Sequence, residues 1–245
     1  MNHPAAFSAA LPDAPRVLDF LRTQCAALHR DGVVRRPWHY SELHNPWSRA
    51  AEIHDAWGFL DLCQMPEIIA LVTPLIGPDI ILYDSQLAPD PWPAPPQEDT
   101  PDDAWQCDAE RCPVAPLAGA VVRIAFDRPG GAGAGAAHFI CHQAPRKPLA
   151  HEPGRVIVHD IRQAYRIAAA APAARPFEFI LRLFPATSRY SRDPATPVHR
   201  ALCERYPLVN YARMPLWLVS GEDRADNDFV TGFASRPGRW ATPPG

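Results

Sequence analysis

The 245-residue chain lacks several features that would assign it to a common class of protein. Its six cysteines form no Cys-x-x-Cys pair, so reduced thiols are expected rather than a disulfide framework. No Gly-x-Ser-x-Gly elbow and no phosphate-binding loop is present. The sequence therefore carries no signature of a serine hydrolase or a nucleotide hydrolase.

A strong charge of either sign and long apolar runs are also absent. The formal net charge is −3 and the pI is about 6.3, which gives no basic field for nucleic acid or anionic lipid. The apolar runs fall well short of the ~20 residues that span a bilayer, and the N-terminus has no basic region followed by an apolar stretch. We expect a cytoplasmic protein that binds neither nucleic acid nor membranes.

The sequence is nevertheless apolar enough to fold around a sizeable core. Hydrophobic residues make up 47% of the chain, and a length of 245 residues is ordinary for one barrel-type domain. Residues 15–30 and 47–76 have the apolar spacing of amphipathic helices. After residue 80 the pattern changes to short β-prone runs, which are residues 80–83, 121–126, 156–158 and 177–184.

Helices followed by strands predict a mainly β fold with flanking helices, an antiparallel barrel or sandwich. We predict a single domain over residues 1–245. Its parts are N-terminal helices at about 15–77, a jelly-roll core at about 80–185 and a C-terminal extension at 186–245. The proline-rich residues 89–101 are expected to form an extended surface loop.

This loop leads into the residues Trp105-Gln106-Cys107-Asp108, one of several segments whose order is informative. The segments are residues 31–34, 65–77, 105–108, 121–127, 133–142 and 154–160. Their order resembles that of the phytanoyl-CoA dioxygenase family of Fe(II)/2-oxoglutarate-dependent oxygenases. The resemblance implies a double-stranded β-helix, the cupin-like jelly-roll. It also implies an iron site with a His-x-Asp pair and a distal histidine.

In this chain the three metal-triad positions implied by the resemblance are occupied by Gln106, Asp108 and Tyr165. Only Asp108 retains the residue type of the family. A glutamine offers a weak carbonyl ligand, and a phenol ligates well only after it loses a proton with a pKa near ~10. We therefore expect a degenerate facial triad that binds Fe(II) weakly or not at all.

Other residues leave alternatives open. His142 and His159 are possible replacement ligands, and Arg175 stands where the family keeps the arginine that binds the carboxylate of 2-oxoglutarate. Arg175 could equally pair with a surface acid at the end of a strand. A zinc set, weighed as a minor alternative, would use Cys107, Cys112, His138 and His142.

The favoured function is a phytanoyl-CoA-dioxygenase-like protein that has lost ordinary Fe(II) chemistry and binds a small molecule or a partner. The alternative is an active oxidoreductase that uses Fe(II) and 2-oxoglutarate through an altered ligand set to hydroxylate a small organic substrate. An unrelated enzyme or a structural protein on the same scaffold remains a third possibility. The sequence does not choose the substrate or the oligomeric state.

Overall fold

The computed structural model describes residues 6–28, 40–48, 51–88, 105–127, 137–142, 148–169, 175–205 and 210–229. The predicted first strand at 31–34 and the proline-rich loop at 89–101 lie outside these residues, as do residues 133–136. The described elements are helices α1 (Ala14–Leu28), α2 (Ala56–Cys63), α3 (Pro66–Ile76) and α4 (Pro197–Arg205), together with eleven strands.

The helices begin and end where local chemistry favours it. Residues 51–55 form turns rather than the predicted continuous helix. The Asp55 side chain accepts a hydrogen bond from the Gly58 backbone N–H at 2.9 Å, so α2 begins only at residue 56. Pro66 occupies the first turn of α3, where its missing N–H costs nothing. That helix ends at Gly77, whose φ of +87° suits glycine.

A six-stranded antiparallel sheet forms the larger wall of the barrel. Its strands are β1 (Ala6–Ala10), β2 (Ile80–Ala88), β4 (Ala120–Phe126), β7 (Arg155–Asp160), β9 (Phe177–Pro185) and β11 (Trp217–Ser220). They pair in the order β1-β7-β4-β9-β2-β11. The first and last strands of this order come from outside residues 80–185, so the sheet is wider than the predicted core.

The other described strands form two smaller sheets. One contains β5 (Ala137–Cys141), β6 (Leu149–His151) and β8 (Tyr165–Ala169) in the order β6-β5-β8. The other is the pair of β3 (Val114–Ala115) and β10 (Arg189–Tyr190). This arrangement confirms the predicted mainly β jelly-roll with flanking helices.

The two faces of the large sheet pack against different groups of residues. The outer face packs against α1, α2 and α3 in the main apolar core, to which β4 contributes Val122 and Ile124. The inner face carries two smaller apolar clusters, one around Tyr83 and Phe184 and one around Phe139. Within the described residues no single helix is long and apolar enough to cross a membrane, and only α2 and α3 together, bent by 52° between them, meet that test.

Candidate functional site

Charged side chains project from the inner face of the large sheet. Arg123 on β4 and Glu178 and Arg182 on β9 stand at positions that alternate with residues of the helix-facing core. On β2 the register with β9 shifts between Leu82 and Asp84, and this irregularity lets Asp84 face Arg182. All four charged side chains are buried, so each needs a partner inside the protein.

Asp108 is the centre of this group. It opens a short 3₁₀ turn that spans Asp108–Arg111, and it is only 1% exposed. Its Oδ1 accepts hydrogen bonds from Nε and Nη2 of Arg182 at 2.9 and 2.7 Å. Its Oδ2 accepts one from Nη2 of Arg123 at 2.8 Å. Two guanidinium groups therefore hold both oxygens of the carboxylate.

The same arginines carry the network outward to further acids. Nη1 of Arg123 donates to Oε2 of Glu178 at 3.1 Å, and Oε1 of Glu178 lies 2.6 Å from Nε2 of His151. Nη1 of Arg182 donates to Oδ2 of Asp84 at 2.7 Å. We call Asp84, Asp108, Arg123, His151, His159, Glu178 and Arg182 the internal ion network.

The pKa values of the acids in this network follow from burial and from the arginines. Burial alone would raise the pKa of Asp108, but Arg182 and Arg123 outweigh it and hold that pKa well below its usual range. Burial would also raise the pKa of Glu178, but Arg123 and His151 outweigh this effect, and the pKa is lowered. For Asp84 burial prevails over Arg182, and its pKa is raised. Asp108 and Glu178 are therefore held as anions.

Gln106 and Tyr165 lie beside Asp108, so the structure brings the three predicted triad positions together. Gln106 and Tyr165 form an antiparallel bridge, with N···O distances of 2.7 and 2.9 Å between their backbones. The Tyr165 hydroxyl donates to Oε1 of Gln106 at 3.3 Å and accepts from Nη2 of Arg123. Burial raises the pKa of Tyr165 despite the nearby arginine, so the phenol keeps its proton.

His159 lies on β7 inside the barrel, with its Nε2 3.9 Å from Oδ2 of Asp108. That nitrogen is 3.2 Å from Nε of Arg123, and Nδ1 is 3.0 Å from the Asp160 carbonyl oxygen. Because an arginine can only donate, Nε2 is assigned as the acceptor and Nδ1 as the protonated nitrogen. Burial and the Arg123 charge lower the pKa of His159 to about 4, so the ring is neutral at physiological pH.

The other two predicted site residues lie farther out. His142 follows β5, is exposed, and packs edge-on against the Trp105 ring at 4.7 Å between centroids. Arg175 precedes β9 and donates from Nη2 to the Ile167 carbonyl oxygen at 3.0 Å. Phe177 and Phe179, on the strand that follows Arg175, belong to the helix-facing core.

The residues present do not fit Fe(II) in this arrangement. Both oxygens of Asp108 are paired with arginines, and Arg123 also occupies the lone pair of His159 that would face a metal. The Tyr165 phenol is protonated and bonded to the same guanidinium. Among the described residues, no group of three or more histidine, cysteine, aspartate and glutamate side chains could hold a metal ion. This finding also gives the zinc alternative no support.

Sequence reasoning missed the two arginines, although the chain carries a signal for them. Arg123 interrupts the apolar run Val121–Phe126 and Arg182 interrupts Phe179–Phe184. A charged residue in the middle of a buried strand needs an internal counter-charge. Asp84 and Glu178 stand in apolar strands in the same way, so the four together predict a buried network even before their contacts are known.

No protein-family model and no characterised protein matches the chain by sequence. Several solved structures match it in fold. CytC3 with Fe(II) and alpha-ketoglutarate superposes with a TM-score of 0.57 at 15% identity, over 96% of this chain and 92% of that one. The non-haem monooxygenase ThoJ, as a nickel complex, gives 0.52 at 16% identity over 96% and 85%.

The epimerase SnoN, in complex with Fe3+, alpha ketoglutarate and nogalamycin RO, gives a TM-score of 0.53 at 16% identity over 81% of this chain and 84% of that one. These neighbours have the cupin-like jelly-roll of the non-haem iron, 2-oxoglutarate-dependent oxygenases, and this chain shares that fold. At identities of this size the structural superposition establishes the fold and leaves the activity open.

Proposed function

We propose that this chain is a phytanoyl-CoA-dioxygenase-like protein that has lost ordinary Fe(II) chemistry and binds a small molecule or a partner. The observation that carries the proposal is the position of Arg123. Its guanidinium contacts Asp108, His159 and Tyr165 at once, so a permanent cation lies among the groups that would otherwise surround a metal ion. The residue types at Gln106 and Tyr165 act in the same direction, because a glutamine carbonyl and a protonated phenol are weak ligands for Fe(II).

Electrostatics supports the same reading. A divalent cation placed next to Arg123 and Arg182 would meet two fixed positive charges in a buried region where screening is weak. Arginine does not lose its proton in proteins, so the repulsion persists at every physiological pH. The network instead neutralises Asp108 without any metal.

The active-oxygenase alternative has one observation in its favour. His159 and Asp108 lie close together, and the neutral His159 ring has the protonation state that a metal ligand requires. Arg123 would have to leave both residues before they could bind iron. Arg175 as the clamp for a carboxylate remains a prediction in either case.

The test is iron content and turnover. The protein purified without chelator should contain far less than one equivalent of iron, and added Fe(II) should not start decarboxylation of 2-oxoglutarate above the protein-free rate. Iron-dependent turnover at an ordinary enzymatic rate, on the order of 1 s⁻¹ or faster, would show that the proposal is wrong. His159→Ala would then identify the replacement ligand, and Arg175→Ala would test the clamp.

A further inference from the structure

A cavity of about 340 Å³ lies away from the metal-triad positions, between the segment that precedes α2 and the segment that precedes β11. Its walls include Glu42, Asn45 and Trp47 from the first segment and Asn210 and Arg213 from the second. The volume is at the lower end of the ~300–1,000 Å³ range of small-molecule sites. The cavity therefore suits a compact ligand.

One wall of the cavity presents a carboxyl group in a fixed position. Glu42 has a φ of +54°, a left-handed conformation that is unusual for a residue other than glycine. Nδ2 of Asn45 donates to Oε2 of Glu42 at 3.2 Å, and Oδ1 of Asn45 accepts from the Trp47 backbone N–H at 3.0 Å. Asn45 thus links the orientation of the carboxyl group to the position of the tryptophan.

The wall formed by the second segment presents positive charge. Arg213 is exposed at the cavity, and within the described part of the chain it has no carboxylate partner. Burial lowers the pKa of the neighbouring Arg192, Tyr190 and Asp228 oppose this, and the charge of Arg213 adds to the lowering. An arginine without a carboxylate partner at the wall of a cavity favours an anionic ligand.

A flat aromatic surface completes the cavity. The Trp47 ring stacks on Trp217 with a centroid separation of 5.6 Å and an interplanar angle of 12°. It is still 53% exposed, so an extended aromatic surface faces solvent at the cavity. A planar ligand can pack against this surface at little cost in side-chain entropy because the stacking already orients the ring.

We propose that this cavity binds a small monocarboxylate with a planar apolar body. The carboxylate pairs with Arg213, while the body packs on Trp47. The inference rests on the proposed function, because it names a site and a ligand class for the small molecule.

The charged and titratable groups around Glu42 give the binding a pH dependence. Burial raises the pKa of Glu42 to about 7, the Asn45 hydrogen bond opposes this, and the charge of Asp84 on β2 adds to it. The charge of Glu42 also contributes to the raised pKa of Tyr190 on β10, and Arg213 faces the same cavity. Above pH 7 Glu42 becomes an anion that repels the ligand, so affinity should fall about tenfold per pH unit.

The experiment is calorimetric titration of the full-length protein with three probes of one shape: phenylacetate, phenylacetamide and phenethylamine. At pH 6 phenylacetate should bind at least tenfold more tightly than the neutral and cationic probes. Arg213→Gln should weaken phenylacetate binding at least tenfold. Arg189→Gln, which removes an exposed arginine on β10, should leave it unchanged.

Glu42→Gln supplies the second readout, because glutamine keeps the shape and cannot ionise. The wild-type affinity for phenylacetate should fall about 30-fold between pH 6 and pH 8.5, whereas the variant should show no such fall. Circular dichroism and urea unfolding of each variant should match the wild type. Tighter binding of phenethylamine, no binding of phenylacetate, or an equal affinity in Arg213→Gln would each overturn the inference.

These outcomes are separable from those that test the proposed function. Iron-dependent turnover would refute the loss of oxygenase chemistry and would not change the titrations. Failure of phenylacetate to bind would refute the carboxylate site and would leave the iron content as it was.

Discussion

The Arg123 side chain joins several buried groups inside the barrel. Its guanidinium bonds to Asp108, Glu178, His159 and Tyr165, and it lies 4.2 Å from the Tyr165 ring centroid. Arginine suits this position because its planar group offers five donors in a rigid fork. A single residue thus satisfies several buried groups that would each be costly without a partner.

Removal of this residue should be strongly destabilising. Arg123→Met leaves Asp108 and Glu178 with fewer counter-charges in a buried region, and we expect a loss of about 3–5 kcal/mol in the free energy of unfolding. Arg123→Lys should lose less, because it keeps the charge and only part of the donor set. Urea denaturation measures both changes.

The matched control is Arg162→Met, which removes an exposed pair with Asp160. Exposed pairs contribute about 0–1 kcal/mol, so this variant should unfold close to the wild type. An Arg123→Met protein as stable as Arg162→Met would contradict the internal ion network.

His159 gives a prediction about acid stability. Its pKa is lowered to about 4 in the folded protein from 6.5, so its contribution to stability is present above pH 6.5. That contribution should be lost progressively as the pH falls from 6.5 to 4, because the unfolded chain takes up the proton first. Tm measured between pH 7 and pH 4 should therefore fall less steeply in His159→Gln than in the wild type.

The control for this prediction is the exposed His138 on β5. His138→Gln should leave the pH slope of Tm unchanged. Equal slopes in the wild type, His138→Gln and His159→Gln would show that the buried ring is not held neutral.

At the level of elements, the sequence predicted those whose apolar period is strong. Helix α1 and strands β2, β4, β7 and β9 lie where the period placed them. Strand β1 was missed because Ala6-Phe7-Ser8-Ala9-Ala10 has no β-branched residue, and it forms by pairing along the edge of β7. A local sequence pattern contains no information about such a tertiary pairing. Strand β11 lies in the predicted C-terminal extension and forms the other edge of the sheet.

The candidate site, like the fold, could be predicted from the sequence only in part. The order of segments was enough to expect that Gln106, Asp108 and Tyr165 converge. The role of Arg123 and Arg182 required the register between β4, β9 and the turn that carries Asp108, which no single segment contains. Periodicity assigns a face to a strand residue, while its partners depend on strands distant in sequence.

The ends of the strands provide a test of backbone geometry. Gly221 follows β11 with a φ of +71°, and a Cβ there would lie 2.7 Å from the Cα of Asp79. Gly154 before β7 has a φ of +86°, but a Cβ there would meet nothing within 4 Å. Both alanine substitutions should cost about 1 kcal/mol for the left-handed backbone. Gly221→Ala should cost at least 1 kcal/mol more because of the backbone clash.

Urea unfolding of the two alanine variants measures this difference. Equal destabilisation would mean that the turn after β11 can move away from Asp79. The backbone hydrogen bond from Ala186 N to Asp79 O and the pairing of Arg224 with Asp79 argue that it is held there.

For the molecule as a whole, the fold is that of iron-dependent oxygenases, while its centre is neutralised by protein charges. Histidine substitutions can test whether the backbone at the triad positions is able to hold a metal ion. Gln106→His with Tyr165→His should bind Co(II) weakly, because Arg123 still occupies Asp108. Addition of Arg123→Ala should increase Co(II) affinity at least tenfold, measured by the visible absorption of the bound ion.

The comparison variant adds Arg162→Ala to the same two histidines, since this arginine lies on the surface. It should leave Co(II) affinity at the level of the double variant. A double variant that already binds Co(II) as tightly as the triple variant would show that Arg123 does not block the site.

The position of Arg123 also limits how this protein can change over evolutionary time. A substitution of Arg123 alone leaves Asp108 and Glu178 with fewer counter-charges, and substitutions of Gln106 and Tyr165 alone leave the cation in place. Each single step towards a metal site is therefore costly or without benefit, and only their combination is useful. Exposed positions can change without disturbing this network, whereas an iron site at its centre would require several substitutions that are unfavourable one at a time.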